Sequence, residues 1–161
     1  MFKFHTRIAG VVAVLVAIGF VSVAEAKTHR YSAEIVSEPL SIANGYPNVG
    51  GTAFVAGTVN SKRFGTGALI DHLTITGQPF GVNLFTFEGT EVVVLEHGTQ
   101  RNAFSGYDVI QDDGSHKITV EGRYTGGTAR YRGATGRYKF KGTIPSGSTV
   151  LTGRSTGRIK F

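Results

Sequence analysis

Cysteine is absent from all 161 residues. That excludes disulfides, cysteine-built zinc sites and thiol catalysis together. Proline is scarce, with 4 residues against 23 glycines. The two together make up about 17% of the chain, below the ~25–30% that marks low-complexity disorder. No G-X-Y period is present, so a collagen-like rod is excluded. The chain also lacks a G-x-x-x-x-G-K-[ST] phosphate loop and an H-E-x-x-H metal helix. Ser146, in Pro145-Ser146-Gly147, has no placed base, and Gly65-Thr66-Gly67 has no following helix to make a dinucleotide fingerprint. Beyond the N-terminal 26 residues, no stretch of ten or more residues keeps a helical period.

What is present is an apolar fraction of 40%, an aromatic fraction of 11% and twice the usual share of glycine. Those proportions fit a packed, glycine-punctuated β domain. The N-terminus reads differently. Lys3 and Arg7 precede an uncharged run from Ile8 to Val23, followed by Ala24-Glu25-Ala26. A basic start, a short apolar run and an A-x-A site are the marks of a secretory signal peptide. Sixteen helical residues span only about 24 Å, short of a ~30 Å hydrocarbon core. Residues 1–26 are therefore expected to be cleaved after Ala26, leaving 27–161 as one domain without a membrane span, secreted or periplasmic. An exported chain without disulfides must depend on its core and its sheet. A closed barrel suits that need because it has no exposed strand edge.

Short β-branched and aromatic runs separated by glycine-containing breaks predict nine strands: Tyr31–Ser37, Thr52–Val59, Gly67–Thr76, Val82–Glu88, Glu91–His97, Arg101–Gln111, Lys117–Tyr124, Arg137–Ile144 and Ser148–Phe161. Asn44-Gly45-Tyr46-Pro47-Asn48 reads as a loop and Asp112-Asp113-Gly114-Ser115 as a hairpin turn. This spacing suits a sandwich or a barrel. Alternation assigns one face of each late strand to the interior: Ile118, Val120, Gly122 and Tyr124; then Tyr138, Phe140, Gly142 and Ile144; then Ser155, Gly157, Ile159 and Phe161. Glycines on those rows fit a small, strongly coiled barrel.

The most distinctive stretch is Tyr124-Thr125-Gly126-Gly127-Thr128-Ala129-Arg130-Tyr131-Arg132-Gly133-Ala134-Thr135-Gly136. Its glycines end one strand and release the next, and Thr128 is placed to start a short helical turn that tucks Tyr131 over a barrel end. This stretch resembles the G-G-T-G-x-[FY]-x-G/x-A-x-G turn of the allene oxide cyclase/dirigent-like β-barrel superfamily, in particular its bacterial secreted members. Ala129 stands where a glycine is common in that turn. The resemblance covers about Tyr107 to Phe161. It implies an eight-stranded antiparallel barrel with a small hydrophobic ligand in its interior and no cofactor. Isomerase or cyclase action on an unsaturated lipid or phenolic substrate is its enzymatic alternative. Phe85, Phe87, Tyr124, Tyr138 and Phe140 are the aromatics expected to line that interior, unless they fill it. None of the superfamily's catalytic positions matches this chain residue by residue.

Asp71 is the acid of most interest, because it shares parity with Leu69, Leu73 and Ile75. If that face points inward, burial raises its pKa toward the range of a general acid or base. Otherwise it sits at the barrel mouth or on a backbone amide, and the apolar Ile70 on the opposite face leaves the choice open. Tyr107 is a second candidate, as a phenol inside the pocket. His72, His97 and His116 show no metal-ligand spacing, so no metal is expected. Charge is unevenly spread. Residues 27–113 hold 5 basic and 9 acidic residues, and 114–161 hold 10 basic and only Glu121 acidic. Arg137, Lys139, Lys141, Arg154, Arg158 and Lys160 would then form a basic outer wall, able to bind anionic cell surfaces or acidic polysaccharide in preference to nucleic acid, or simply to keep the sheet soluble.

Overall fold

A computed structural model describes residues 26–45, 47–78 and 83–161. The expected signal peptide lies outside the described residues but for Ala26, as do Tyr46 of the predicted loop and Val82 of the predicted fourth strand. Eight strands follow one another: β1 (Thr28–Ala43), β2 (Thr52–Ser61), β3 (Gly65–Gly77), β4 (Leu84–Leu95), β5 (Gly98–Ile110), β6 (His116–Gly127), β7 (Thr135–Ile144) and β8 (Leu151–Lys160). Each pairs antiparallel with the next, and β8 returns to β1 from Thr28↔Lys160 to Ser37↔Leu151, closing a barrel. The only helix among the described residues is a 3-10 turn at Ala129–Tyr131.

Nine predicted strands become eight because Gly89-Thr90 is not a break. β4 runs straight through it, and Gly89 pairs with Leu73 on one side and Phe104 on the other. A Cβ at Gly89 would lie 2.3 Å from the His72 carbonyl oxygen. The glycine is there because two backbones approach closely, not because the chain turns. Where the chain does turn, the chemistry matches expectation. The Asp113 carboxylate accepts from the Ser115 N–H at 2.8 Å and from its hydroxyl at 2.6 Å, with Gly114 at φ 78°.

The inward rows of β6, β7 and β8 are those that alternation predicts: Tyr124, Tyr138, Phe140, Ser155 and Ile159 are buried, while the intervening charged residues are exposed. The interior is filled unequally. At the end formed by the start of β1 and the end of β8, Tyr31, Phe64, Tyr124, Tyr131 and Phe161 pack ring against ring. Tyr31–Phe64 centroids are 5.6 Å apart and Tyr131–Phe161 5.2 Å. Tyr131 and Ile159 are completely buried there. Toward the other end the interior opens.

Candidate functional site

The open end is a cavity of about 340 Å³ inside the barrel. That is at the lower end of the range for small-molecule sites. Its wall is mainly apolar, with Ile35, Ala53, Leu69, Ile75, Val120 and Leu151 among its residues. Interior glycines make this shape possible. A Cβ on Gly122 would fall 2.1 Å from the Tyr138 ring, so the ring can lie across β6 only because residue 122 has no side chain.

One row of inward side chains crosses five strands: Val55, Asp71, Glu91, Asn102 and Tyr124 are successive cross-strand partners. Asp71 and Glu91 both line the cavity. Asn102 Nδ2 donates to Glu91 Oε1, and the Tyr138 hydroxyl donates to the same oxygen at 3.3 Å. Asp71 Oδ1 is buried and accepts no hydrogen bond. Burial, and after it the Glu91 charge, pushes the Asp71 carboxyl up to about 8. Burial also raises Glu91, against the lowering effect of its bonds to Asn102 and Tyr138. Two adjacent carboxyls in an apolar enclosure resist double ionisation. Near neutral pH the pair therefore holds a proton, with Asp71 the member lacking hydrogen-bond support.

A second pair stands at the mouth. Asp108 Oδ2 lies 2.7 Å from His116 Nδ1, and both residues line the same cavity. Burial raises the Asp108 carboxyl, opposed by His116. Such a pair can orient an imidazole for proton exchange. Among the described residues no group of three or more His, Asp or Glu is arranged to hold a metal ion.

Of the predicted aromatic lining, Phe85, Phe87, Tyr138 and Phe140 face the cavity. Tyr124 does not. It sits deeper, between Tyr31 at 5.9 Å and Tyr138 at 5.5 Å, because it lies near the end of β6 that joins the aromatic plug. Tyr107 also moves out of the site. In β5 the inward parity belongs to Gly106 and Asp108, leaving Tyr107 44% exposed on the outer face. Asp71 points inward with Leu69 and Ile75, while Ile70 is 52% exposed outside. The six basic residues of the predicted wall are all exposed; Lys139 pairs with Glu121 at 2.6 Å and Arg154 with Glu34 at 3.5 Å. Glu91, Asn102, Asp108 and His116 were missed. Glu91 shares parity with Val93 and Leu95, the same signal that exposed Asp71, but the run Val92-Val93-Val94 hides the alternation.

The closed eight-stranded antiparallel barrel has a fold similar to that of a dirigent protein of known structure. Among solved structures, the pterocarpan synthase dirigent protein GePTS1 is similar with a TM-score of 0.56 at 13% identity, over 84% of this chain and 86% of that one. AbnU, an exo-specific intermolecular Diels-Alderase, is similar at 0.49 and 14% identity, over 82% of this chain and 98% of that one. At 13% identity the likeness to GePTS1 shows the fold alone. No protein-family model matches the chain, and no curated protein matches it.

Proposed function

We propose that this protein binds one small hydrophobic molecule in the open half of its barrel, without a cofactor. The observation that carries the reading is the unequal filling: an apolar cavity of about 340 Å³ above a packed aromatic plug. The fold alone supplies a frame for such a site, and residues 1–26, if removed on export, place its work outside the cytoplasm. The neutral fluorophore N-phenylnaphthylamine tests the reading. One molecule should bind per chain, and Val120→Phe, which fills the cavity from β6, should abolish binding without lowering the melting temperature. Equal binding by the variant would place the dye on the surface and remove the proposal.

A second reading, isomerase or cyclase action on an unsaturated ligand, is favoured by one specific observation. A pure carrier has no use for Asp71, whose buried oxygen lacks a partner and whose carboxyl keeps its proton near neutral pH. In an isomerisation, the Asp108–His116 pair would take a proton from the α-carbon and Asp71 would protonate the γ-carbon of the dienolate that results. Solvent then returns a proton to Asp71 and accepts one from His116, so no net proton is consumed. On this reading a β,γ-unsaturated cyclic ketone is converted to its conjugated isomer by the native chain. Asp71→Asn should keep the fluorophore affinity and lose the conversion. Full conversion by Asp71→Asn would remove Asp71 as the acid, and no conversion by the native chain would leave the carrier reading alone.

A further inference from the structure

The outer face holds a feature that the cavity does not explain. Arg123 on β6 stands directly opposite Arg137 on β7, Arg137 opposite Arg158 on β8, and Arg158 opposite Arg30 on β1. Four arginines on four adjacent strands thus form one row across the sheet. At ~4.8 Å between strands the row is about 14 Å long. All four are exposed, and none forms an ion pair among the described residues.

Like charges directly opposite one another destabilise a sheet. A wall that served only solubility could alternate its signs, and nearby positions of the same sheet do so: Glu121 faces Lys139, and Glu34 faces Arg154. The arginine row keeps its repulsion instead. Arg123, Arg137 and Arg158 also line a concave groove around the waist of the barrel, together with Gly122, Gly136, Gly157 and Thr156. A groove admits a strand-like ligand, whereas a flat membrane touches what protrudes. Beside the arginines the lining includes glycine, threonine, Lys139 and the carboxylates Glu88 and Glu121, the latter paired with Lys139. Of its rings Tyr138 is buried, Phe104 is half-buried and His72 is already stacked on Phe54, which leaves little on which nucleic-acid bases could stack. Planar guanidinium forks in register suit anionic groups repeated along a chain.

We infer that the Arg30–Arg158–Arg137–Arg123 row is a binding site for a linear acidic polysaccharide, sulfated or carboxylated, lying across the strands in the waist groove. The row lies on the outer face of the sheet, whereas the cavity lies within the barrel.

Titration of the full chain with dextran sulfate and with polygalacturonate tests it. Arg137→Ser with Arg158→Ser should weaken binding roughly twentyfold, about fivefold per charge removed. Lys141→Ser with Lys160→Ser removes the same charge off the row and should weaken it less than threefold. The melting temperature of the arginine double variant should stay level or rise, since repulsion is relieved. Equal losses in the two double variants would reduce the row to diffuse charge and overturn the assignment. So would failure to bind either polymer while phosphatidylglycerol vesicles or a single-stranded oligonucleotide bind through the same arginines. A lower melting temperature would show that the row stabilises the sheet and remove the argument from repulsion.

Discussion

The two ends of this barrel are built from the same eight strands and filled in opposite ways. At one end Tyr31, Phe64, Tyr124, Tyr131 and Phe161 leave no space; at the other, residues such as Ala53, Ile75 and Val120 leave a chamber. Between them lies the polar layer of Asp71, Glu91, Asn102 and Tyr138. The plug holds the barrel in shape so that the chamber can stay open. Close packing and open volume are thereby divided between the two halves of one core, and the buried carboxyls lie where the two meet.

The largest expected effect breaks the plug. Tyr131 is fully buried at the 3-10 turn, in contact with Phe64 and Phe161. Tyr131→Ala should cost about 3–5 kcal/mol. In a domain of this size that is a fall in melting temperature on the order of 10 °C. Phe85→Ala, at the chamber wall where the ring is only half-buried, should cost less than about 1 kcal/mol and weaken fluorophore binding instead. Thermal melts of the two variants side by side would abolish the contrast between the ends if they fell equally.

A middle-sized effect sharpens the polar layer. The Asp71 carboxyl is raised to about 8, so between about pH 4, its usual unfolded value, and pH 8 the folded chain holds a proton that the unfolded chain has lost. Its contribution to stability is full below that window and disappears as pH rises through it, with a slope of up to about 1.4 kcal/mol per pH unit. Asp71→Asn removes the titration. The variant should match the native chain near pH 4 and exceed it in stability by pH 8, as measured by denaturant unfolding across the range. Parallel pH profiles would mean that Asp71 is not buried as described.

Much of this was legible in the chain because β6, β7 and β8 alternate cleanly between charged and apolar residues. The faces of Tyr138 and Phe140, and the outward basic residues, could be read directly. β3 and β4 resist such reading. Ile70 is apolar yet outside, Asp71 is charged yet inside, and three consecutive valines mask Glu91. The meeting of Asp71 with Glu91 depends on the register of two strands, which no local pattern encodes. The same is true of the arginine row, where four residues drawn from positions 30 to 158 meet only once the barrel closes. Gly89 shows the reverse failure: a glycine demanded by a neighbouring backbone looks, in sequence, like one demanded by a turn.

The smallest expected effect concerns the turn that covers the plug. Ala129 occupies the left-handed region at φ 47°, at the position where the similar barrel turn commonly carries glycine. An L-residue there costs roughly 1–2 kcal/mol. The turn tolerates it because neighbouring bonds hold the segment. Thr128 Oγ1 accepts from the Thr99 N–H at 3.0 Å and bonds the Thr99 hydroxyl at 2.9 Å, and the Arg130 N–H donates to the His97 carbonyl at 3.2 Å. Ala129→Gly relieves the strain but enlarges the freedom of the unfolded chain, an opposing term of about 0.4–1 kcal/mol. The net should be a gain of about 0.5 kcal/mol, a rise of one or two degrees in melting temperature, with fluorophore affinity unchanged. A rise accompanied by altered affinity would mean that the plug end is coupled to the chamber; a fall would mean that the alanine methyl packs usefully against the barrel end and that the left-handed backbone is not its dominant cost.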